Sequence, residues 1–124
     1  MSNEARQTIK AVTASTYTLA FPADNGILIT NRGGGALTVT MPAPTEALTG
    51  SWAEFFAVAA GDLVITTAAG EALVVNNNAT ADSYTLGTDN EEIGGGLRVI
   101  CDGTSWLVVN YLSFETTTTT VTDS

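Results

Sequence analysis

Apolar residues recur at every second position in short runs along most of the chain. In one run, Leu37, Val39 and Met41 alternate with threonines. A repeat of two residues is typical of a strand with one buried face, whereas a helix repeats every three to four residues. We therefore predict strands in the runs at residues 8–13, 17–21, 27–31, 36–42, 52–59, 63–67, 71–76 and 84–87, and in a final pair within 94–113.

Turn-forming residues separate these runs. The sequence Asp24-Asn25-Gly26 contains an Asn-Gly pair, whose residues tolerate positive φ, and three glycines at 33–35 predict a reversal of the chain. Pro42 ends a run, because proline has no N–H to donate to a ladder. The pattern predicts an all-β fold, a compact β-sandwich or barrel of about nine or ten short antiparallel strands.

The two ends of the chain lack the pattern of the middle. Residues 1–12 begin with polar side chains and predict an extended N-terminal arm, residues 13–114 predict one β-domain, and residues 115–124 predict a threonine-rich C-terminal tail. A chain of 124 residues is a common size for a single domain. Uniform threonines give the tail no face to bury, so it is either disordered or laid as a strand on a neighbour.

Charge narrows the classes of partner. The chain has 13 acidic and 4 basic residues, a net charge of −9 and no histidine. Binding to nucleic acid or to an anionic membrane needs clustered lysine and arginine, so we expect neither partner. No apolar run approaches the ~18 residues of a membrane-spanning helix. A polar start and a single cysteine favour synthesis in a reducing cytoplasm, without an internal disulfide.

Residues suited to catalysis are sparse. Cys101 precedes Asp102 and lies near Ser105, but there is no histidine to act as a base. Arg98 falls on the opposite face of the predicted strand and cannot activate the thiol. We therefore interpret Cys101 as a small buried side chain.

Ligand-binding patterns are incomplete as well. The glycine triplets at 33–35 and 94–96 lack the Lys-Ser/Thr of a phosphate loop. Calcium needs oxygen ligands from a shaped loop, and the spacing of the acidic candidates matches none. These candidates are Asp89, Glu91 and Glu92, with Asp82 or Asp24 added. We predict no catalytic, cofactor or metal site and no enzyme; a hydrolase working through paired carboxylates is the remaining enzyme alternative.

Two tryptophans, Trp52 and Trp106, are the largest apolar side chains. A tryptophan at the start of a strand usually belongs to the core or to a contact between subunits, and that is our interpretation of both. The alternative is an exposed ring that stacks on a sugar.

Three pieces of the chain together resemble small β-domains of bacteriophage virion proteins. They are "ILITNRGGGALTVTMPAP" at 27–44, "AAGDLVITTAAGEAL" at 59–73 and "LRVICDGTSWLVV" at 97–109. The last piece is the most recognisable, because a strand ends in Asp-Gly-Thr-x-Trp and returns as an apolar strand. Similar pieces occur in tail-fibre and spike proteins and in some head decoration proteins.

The resemblance implies a virion structural protein, most like a head decoration (cement) protein. Such a protein would be made in the host cytoplasm, form a homotrimer on the outer capsid surface and bind the major capsid protein. The alternative is a tail-fibre or receptor-binding tip domain. The N-terminal arm of a decoration protein often adds a strand to the capsid protein. The capsid-binding residues would then be Arg6, Thr8, Ile9, Lys10 and Val12.

Overall fold

A computed structural model of the chain describes residues 6–59, 61–68, 70, 72–75, 78–86, 93–112 and 119–122. In these ranges the chain is nearly all-β, which confirms the predicted class, and one 3-10 turn spans Glu46–Leu48. The described strands are β1 (Ile9–Ala11), β2 (Thr16–Thr18), β3 (Ile27–Thr30), β4 (Leu37–Met41), β5 (Trp52–Phe56), β6 (Leu63–Thr67), β7 (Leu73–Val75), β8 (Asn78–Ala81), β9 (Ser83–Leu86), β10 (Gly96–Cys101), β11 (Trp106–Leu112) and β12 (Thr119–Thr122).

The described strands form two sheets. A seven-stranded sheet has the order β1-β3-β5-β10-β11-β7-β8, and a five-stranded sheet has the order β12-β9-β6-β4-β2. Buried side chains of both sheets belong to one apolar cluster, in which Ile29 and Phe55 come from the first sheet and Val39 and Ile65 from the second. This arrangement is consistent with a β-sandwich.

The first six strands form a coil, because the chain enters the two sheets in turn. β1, β3 and β5 are parallel neighbours in the seven-stranded sheet, and β2, β4 and β6 are parallel neighbours in the five-stranded sheet. Each of three successive turns therefore adds one strand to each sheet, as in a solenoid. Inward side chains stack from turn to turn, as Tyr17, Val39 and Ile65 do.

The connections from the first sheet to the second, which we call arches, run through residues 12–15 and 31–36 and, in the described part of the third, residues 57–59 and 61–62. They lie so close that side chains would not fit at two glycines: a Cβ on Gly33 would lie 2.6 Å from the Thr13 carbonyl oxygen, and one on Gly61 would overlap the backbone of Gly35. Glycine is required there because neighbouring arches touch through their backbones.

Asn31 joins the second arch to the third. Its side chain is 1% exposed. Its Oδ1 accepts hydrogen bonds from the N–H groups of Val58 (2.8 Å) and Ala59 (3.2 Å), and its Nδ2 donates to the carbonyl oxygens of Ala59 (3.1 Å) and Gly61 (3.3 Å). The buried amide thus satisfies backbone groups that the arch leaves without ladder partners.

Antiparallel strands close one end of the coil. β10 pairs with β5, and β9 pairs with β6, each in antiparallel orientation. β11 returns from β10 as a hairpin, with Cys101 opposite Trp106. The Trp106 ring is fully buried, stacks on Phe21 at 5.5 Å between ring centroids and donates through Nε1 to the carbonyl oxygen of Pro42 (2.8 Å). The hairpin is thereby fixed against the coil.

The prediction of a wholly antiparallel fold is wrong. Five of the ten described strand pairs are parallel, namely β1–β3, β2–β4, β3–β5, β4–β6 and β7–β11. The glycines at 33–35 do turn the chain, but from one sheet to the other and not back along the same strand. Turn-forming residues mark where a strand ends and leave open which strand it pairs with.

The predicted ends also take part in the sheets. Residues 9–11 of the predicted arm form β1, and Val12 is buried in the core. Residues 119–122 of the predicted tail form β12, which pairs with β9 of the same chain. The rest of the predicted tail, and residues 1–5 of the predicted arm, lie outside the described residues.

Candidate functional site

The candidate site is the end of the coil opposite the antiparallel strands, where β1 and β2 are the last strands of their sheets. The carbonyl oxygen of Thr8 accepts from the Leu28 N–H (2.8 Å), and the Val12 N–H donates to the Thr30 carbonyl oxygen (3.0 Å). Backbone groups of a strand point alternately to its two sides. The N–H and C=O groups of Ile9 and Ala11 therefore point away from β3, to the side where no described strand lies.

β2 has the same geometry in the other sheet. The Ser15 carbonyl oxygen accepts from the Thr38 N–H (3.0 Å), and the Leu19 N–H donates to the Thr40 carbonyl oxygen (2.9 Å). The backbone groups of Thr16 and Thr18 consequently point away from β4. Both sheets thus present an edge strand at one end of the molecule, and edge strands are natural templates for a further strand.

Four of the five predicted capsid-binding residues lie exposed at this end. Arg6, Thr8, Ile9 and Lys10 are exposed, and Ile9 is 63% exposed although it is apolar. Val12, the fifth, is only 4% exposed and packs in the core. Its side chain is part of the fold and does not face a partner.

Lys10 and Tyr17 cover the core at this open end. Both stand at inward positions, in register with buried residues of the next turn, and the Lys10 Nζ lies 5.8 Å from the centre of the Tyr17 ring. The Tyr17 hydroxyl donates to the Asp24 carboxylate (3.1 Å). Burial, then this hydrogen bond, raises the pKa of Tyr17 above its ordinary value of 10.0.

A polar cleft of about 470 Å³ adjoins β1. The Arg98 guanidinium lies over the Trp52 ring, 4.8 Å from its centre, and pairs with the Glu54 carboxylate (3.1 Å). The Gln7 amide donates to Glu54 Oε1 (2.6 Å) and to the Gly26 carbonyl oxygen (2.9 Å). These contacts fix the chain that precedes β1 against the seven-stranded sheet.

Sequence reasoning missed this cleft. Glu54 and Arg98 are cross-strand partners in the β5–β10 ladder, and 44 positions separate them. Only the register of that ladder brings them together. Glu54 and Arg98 each lie between two buried neighbours in their own strands, so the sequence pattern shows that they point outward. The pattern does not show which residue of another strand each of them contacts.

The tryptophans differ in environment. Trp106 belongs to the core, as expected. Trp52 is half-buried, and the Arg98 guanidinium covers its ring. A sugar could stack on the same face only by displacing that guanidinium.

The remaining candidates from the sequence are a cysteine, a glycine triplet and a set of acidic residues. Cys101 is a buried thiol that forms no disulfide. Leu97 and Val99, at alternate positions of the same strand, are buried on the same face. Gly94 and Gly95 exchange backbone hydrogen bonds with Ala57. The acidic candidates at 89–92 fall outside the described ranges. Among the residues that are described, no group of three or more histidine, cysteine or carboxylate side chains could hold a metal ion.

Comparisons with known proteins add no relative. No protein-family model matches the chain, and a search of curated proteins finds no match either. Within the described ranges, no helix is long and apolar enough to cross a membrane.

Proposed function

We propose that the chain is a phage head decoration protein that binds the outer surface of the capsid as a homotrimer and stabilises the shell. Its binding element is the open end of the coil, where β1 accepts an extended segment of the major capsid protein. The observation that carries the proposal is the edge of β1, whose Ile9 and Ala11 backbone groups point away from β3 to the side where none of the described strands lies.

The edge is suited to strand addition. Main-chain hydrogen bonds to an exposed edge supply affinity, and side chains at alternate positions supply specificity. The exposed Ile9 provides an apolar contact on the outward face, and Lys10 provides a cation on the other. Lysine and arginine are scarce in this acidic chain, so Lys10 gives the open end a cation that suits an acidic group of a capsid segment.

Decoration stabilises a shell by mass action. A protein that binds the assembled lattice and not the free subunits shifts the equilibrium toward the lattice. This mechanism needs no catalytic group. It is compatible with a buried Cys101 and with glycine triplets that form connections between strands.

The test uses proline at the free edge. Ile9→Pro removes an N–H that points away from β3 and faces none of the described strands, so the variant should fold and lose capsid binding. The assay mixes purified protein with expanded, undecorated capsids of the phage that encodes the chain, followed by cryo-electron microscopy. We expect symmetric, stoichiometric occupancy by the wild type and at least a ~10-fold loss of affinity for Ile9→Pro.

Two control variants are needed. One distinguishes the edge of β1 from the edge of β2, and the other distinguishes the backbone N–H of Ile9 from its side chain. Thr18→Pro makes the same change on the free edge of β2 and should leave capsid binding intact. Ile9→Ala keeps the N–H and removes only the apolar side chain, so it should weaken binding less than proline does. Normal capsid binding by Ile9→Pro would contradict strand addition at β1. Wild-type protein that ignores capsids and binds host cells would instead support the receptor-binding alternative.

A further inference from the structure

The side chains of β1 do little to hold this strand in the fold. All three of its residues are exposed, and β3 is its neighbour among the described strands. A short strand that buries no side chain and has one neighbour separates easily from its sheet. The contacts just before and just after β1 therefore decide whether its edge is ordered.

The chain that follows β1 is anchored in the core. Val12 is 4% exposed, and its N–H donates to the Thr30 carbonyl oxygen (3.0 Å). The Val12 carbonyl oxygen accepts from the Gly33 N–H (3.1 Å). Burial and backbone hydrogen bonds together fix this end of the strand.

The chain that precedes β1 is held in a different way. Residues 6–8 are all exposed. The Gln7 amide donates to Glu54 Oε1 (2.6 Å) and to the Gly26 carbonyl oxygen (2.9 Å). One residue later, the Thr8 carbonyl oxygen accepts from the Leu28 N–H (2.8 Å). The start of β1 thus depends on polar contacts of an exposed side chain, where its end depends on burial.

Glu54 is a well-fixed partner for Gln7. Its side chain is 13% exposed, and its Oε2 accepts from Arg98 Nη2 (3.1 Å) and Nε (3.3 Å). The Arg98 guanidinium in turn lies over the Trp52 ring. A carboxylate that two N–H groups hold in one orientation loses little freedom when it accepts a further hydrogen bond, and hydrogen bonds to charged groups are the stronger ones.

We propose that Glu54 is a positioning residue for the edge of β1. It lies two strands away from that edge and acts through Gln7, which holds the chain before Ile9 against the sheet. The inference rests on the proposed function, in which the edge of β1 accepts a capsid segment. An edge that is ordered before binding saves the conformational entropy that a partner strand would otherwise have to offset.

The first measurement is amide hydrogen exchange of the isolated full chain, followed by NMR. The Leu28 N–H reports the start of β1 and the Val12 N–H reports its end, because each is bonded across the β1–β3 ladder. Gln7→Glu replaces the donor by a second carboxylate facing Glu54. We expect exchange of the Leu28 N–H to become at least ~10-fold faster and that of the Val12 N–H to change less than ~2-fold.

A rescue separates this contact from a general effect of charge. In the double variant Gln7→Glu/Glu54→Gln, the donor and the acceptor exchange places, so protection of the Leu28 N–H should return at least in part. The control Gln7→Glu/Glu46→Gln has the same net charge. Glu46 is exposed in the 3-10 turn, and its change should give no recovery.

The second measurement is the affinity for expanded, undecorated capsids. Gln7→Glu should bind at least ~10-fold more weakly than the wild type, and Gln7→Glu/Glu54→Gln should regain affinity. The urea midpoint of Gln7→Glu should equal that of the wild type, because Gln7 lies outside the core. A lowered midpoint would assign the lost affinity to general destabilisation and would contradict a positioning role.

The outcomes distinguish this inference from the proposed function. Unchanged exchange of the Leu28 N–H in Gln7→Glu would overturn the inference even if the wild type binds capsids. Equal capsid affinities of the wild type and Gln7→Glu, with the expected change in exchange, would show that Glu54 orders β1 without serving the partner. A wild type that ignores capsids would contradict the proposed function, and the exchange results alone would then decide whether Glu54 orders β1.

Discussion

The coil of β1–β6 and the antiparallel hairpin of β10 and β11 are held in place by different kinds of contact. Along the coil, Ile9 pairs with Leu28 and Leu28 with Glu54, so sheet neighbours are 19 and 26 residues apart. In the hairpin, Cys101 pairs with Trp106 across a short turn. The hairpin can form from local sequence, whereas the coil forms only when distant segments meet.

The consequence is a difference in where stability is concentrated. The arches of the coil depend on a buried amide and on glycines that permit backbone contact. The hairpin turn depends on an exposed aspartate: Asp102 Oδ1 accepts from the N–H groups of Thr104 (2.9 Å) and Ser105 (2.8 Å). Single substitutions in the arches should therefore cost far more than substitutions in the hairpin turn.

The largest effect should come from Asn31. Replacement by alanine removes all four hydrogen bonds that the side chain makes to half-buried backbone groups of Val58, Ala59 and Gly61, and we expect a loss of about 2–4 kcal/mol in the free energy of unfolding. Asn25 is the matched control, since it is exposed and its Oδ1 accepts one backbone hydrogen bond, from the Trp52 N–H (3.0 Å). Asn25→Ala should cost about 1 kcal/mol or less. Equal urea midpoints for the two variants would contradict the role of Asn31 as the link between arches.

A smaller effect should separate two neighbouring glycines. In Gly61→Ala the added methyl group meets the backbone of Gly35, so we expect a loss of about 1–3 kcal/mol. Gly35→Ala meets nothing within 4 Å and should change the free energy of unfolding by less than ~0.5 kcal/mol. Thermal melts of both variants, followed by circular dichroism, make the comparison. If the two melt together, the arches do not touch as described.

The smallest effect should come from Asp102. Hydrogen bonds from the Ser105 and Thr104 N–H groups hold the pKa of its carboxyl below the ordinary value of 3.8. A lowered folded pKa adds stability above the unfolded value, and that stability is lost as the pH falls through the folded pKa. Asp102→Asn should therefore be slightly less stable than the wild type at neutral pH, and the difference should begin to shrink below about pH 4 and disappear once the pH falls below the folded pKa. A difference that persists in acid would assign the effect to turn geometry and not to charge.

The hairpin of β10 and β11 could be predicted from the sequence. Alternation and the Asp-Gly dipeptide placed the final hairpin, the shared face of Leu97, Val99 and Cys101, and the burial of Trp106. Gly103 has φ of +97°, the conformation that the dipeptide indicates. All of these features depend on residues close together in the chain.

The contacts between distant segments, in the coil and in the β5–β10 ladder, could not be predicted in this way. The partners of Asn31 lie 27 to 30 positions further along, and nothing near Asn31 marks it as buried. The pairing of Glu54 with Arg98 depends in the same way on a ladder between distant strands. A period of two residues describes parallel and antiparallel strands alike, which is why the pattern predicts antiparallel strands where the coil has parallel ones.

The open end of the coil is also the place where the fold could accept further turns. A further turn ahead of β1, at the 19 or 26 residues that separate sheet neighbours in the existing turns, would add one strand to each sheet. The β5–β10 and β6–β9 ladders would be untouched, because they lie at the other end. We therefore expect additional turns to be tolerated at this end, and a lengthened protein would carry the edges of β1 and β2 farther from the hairpin without any redesign of the core.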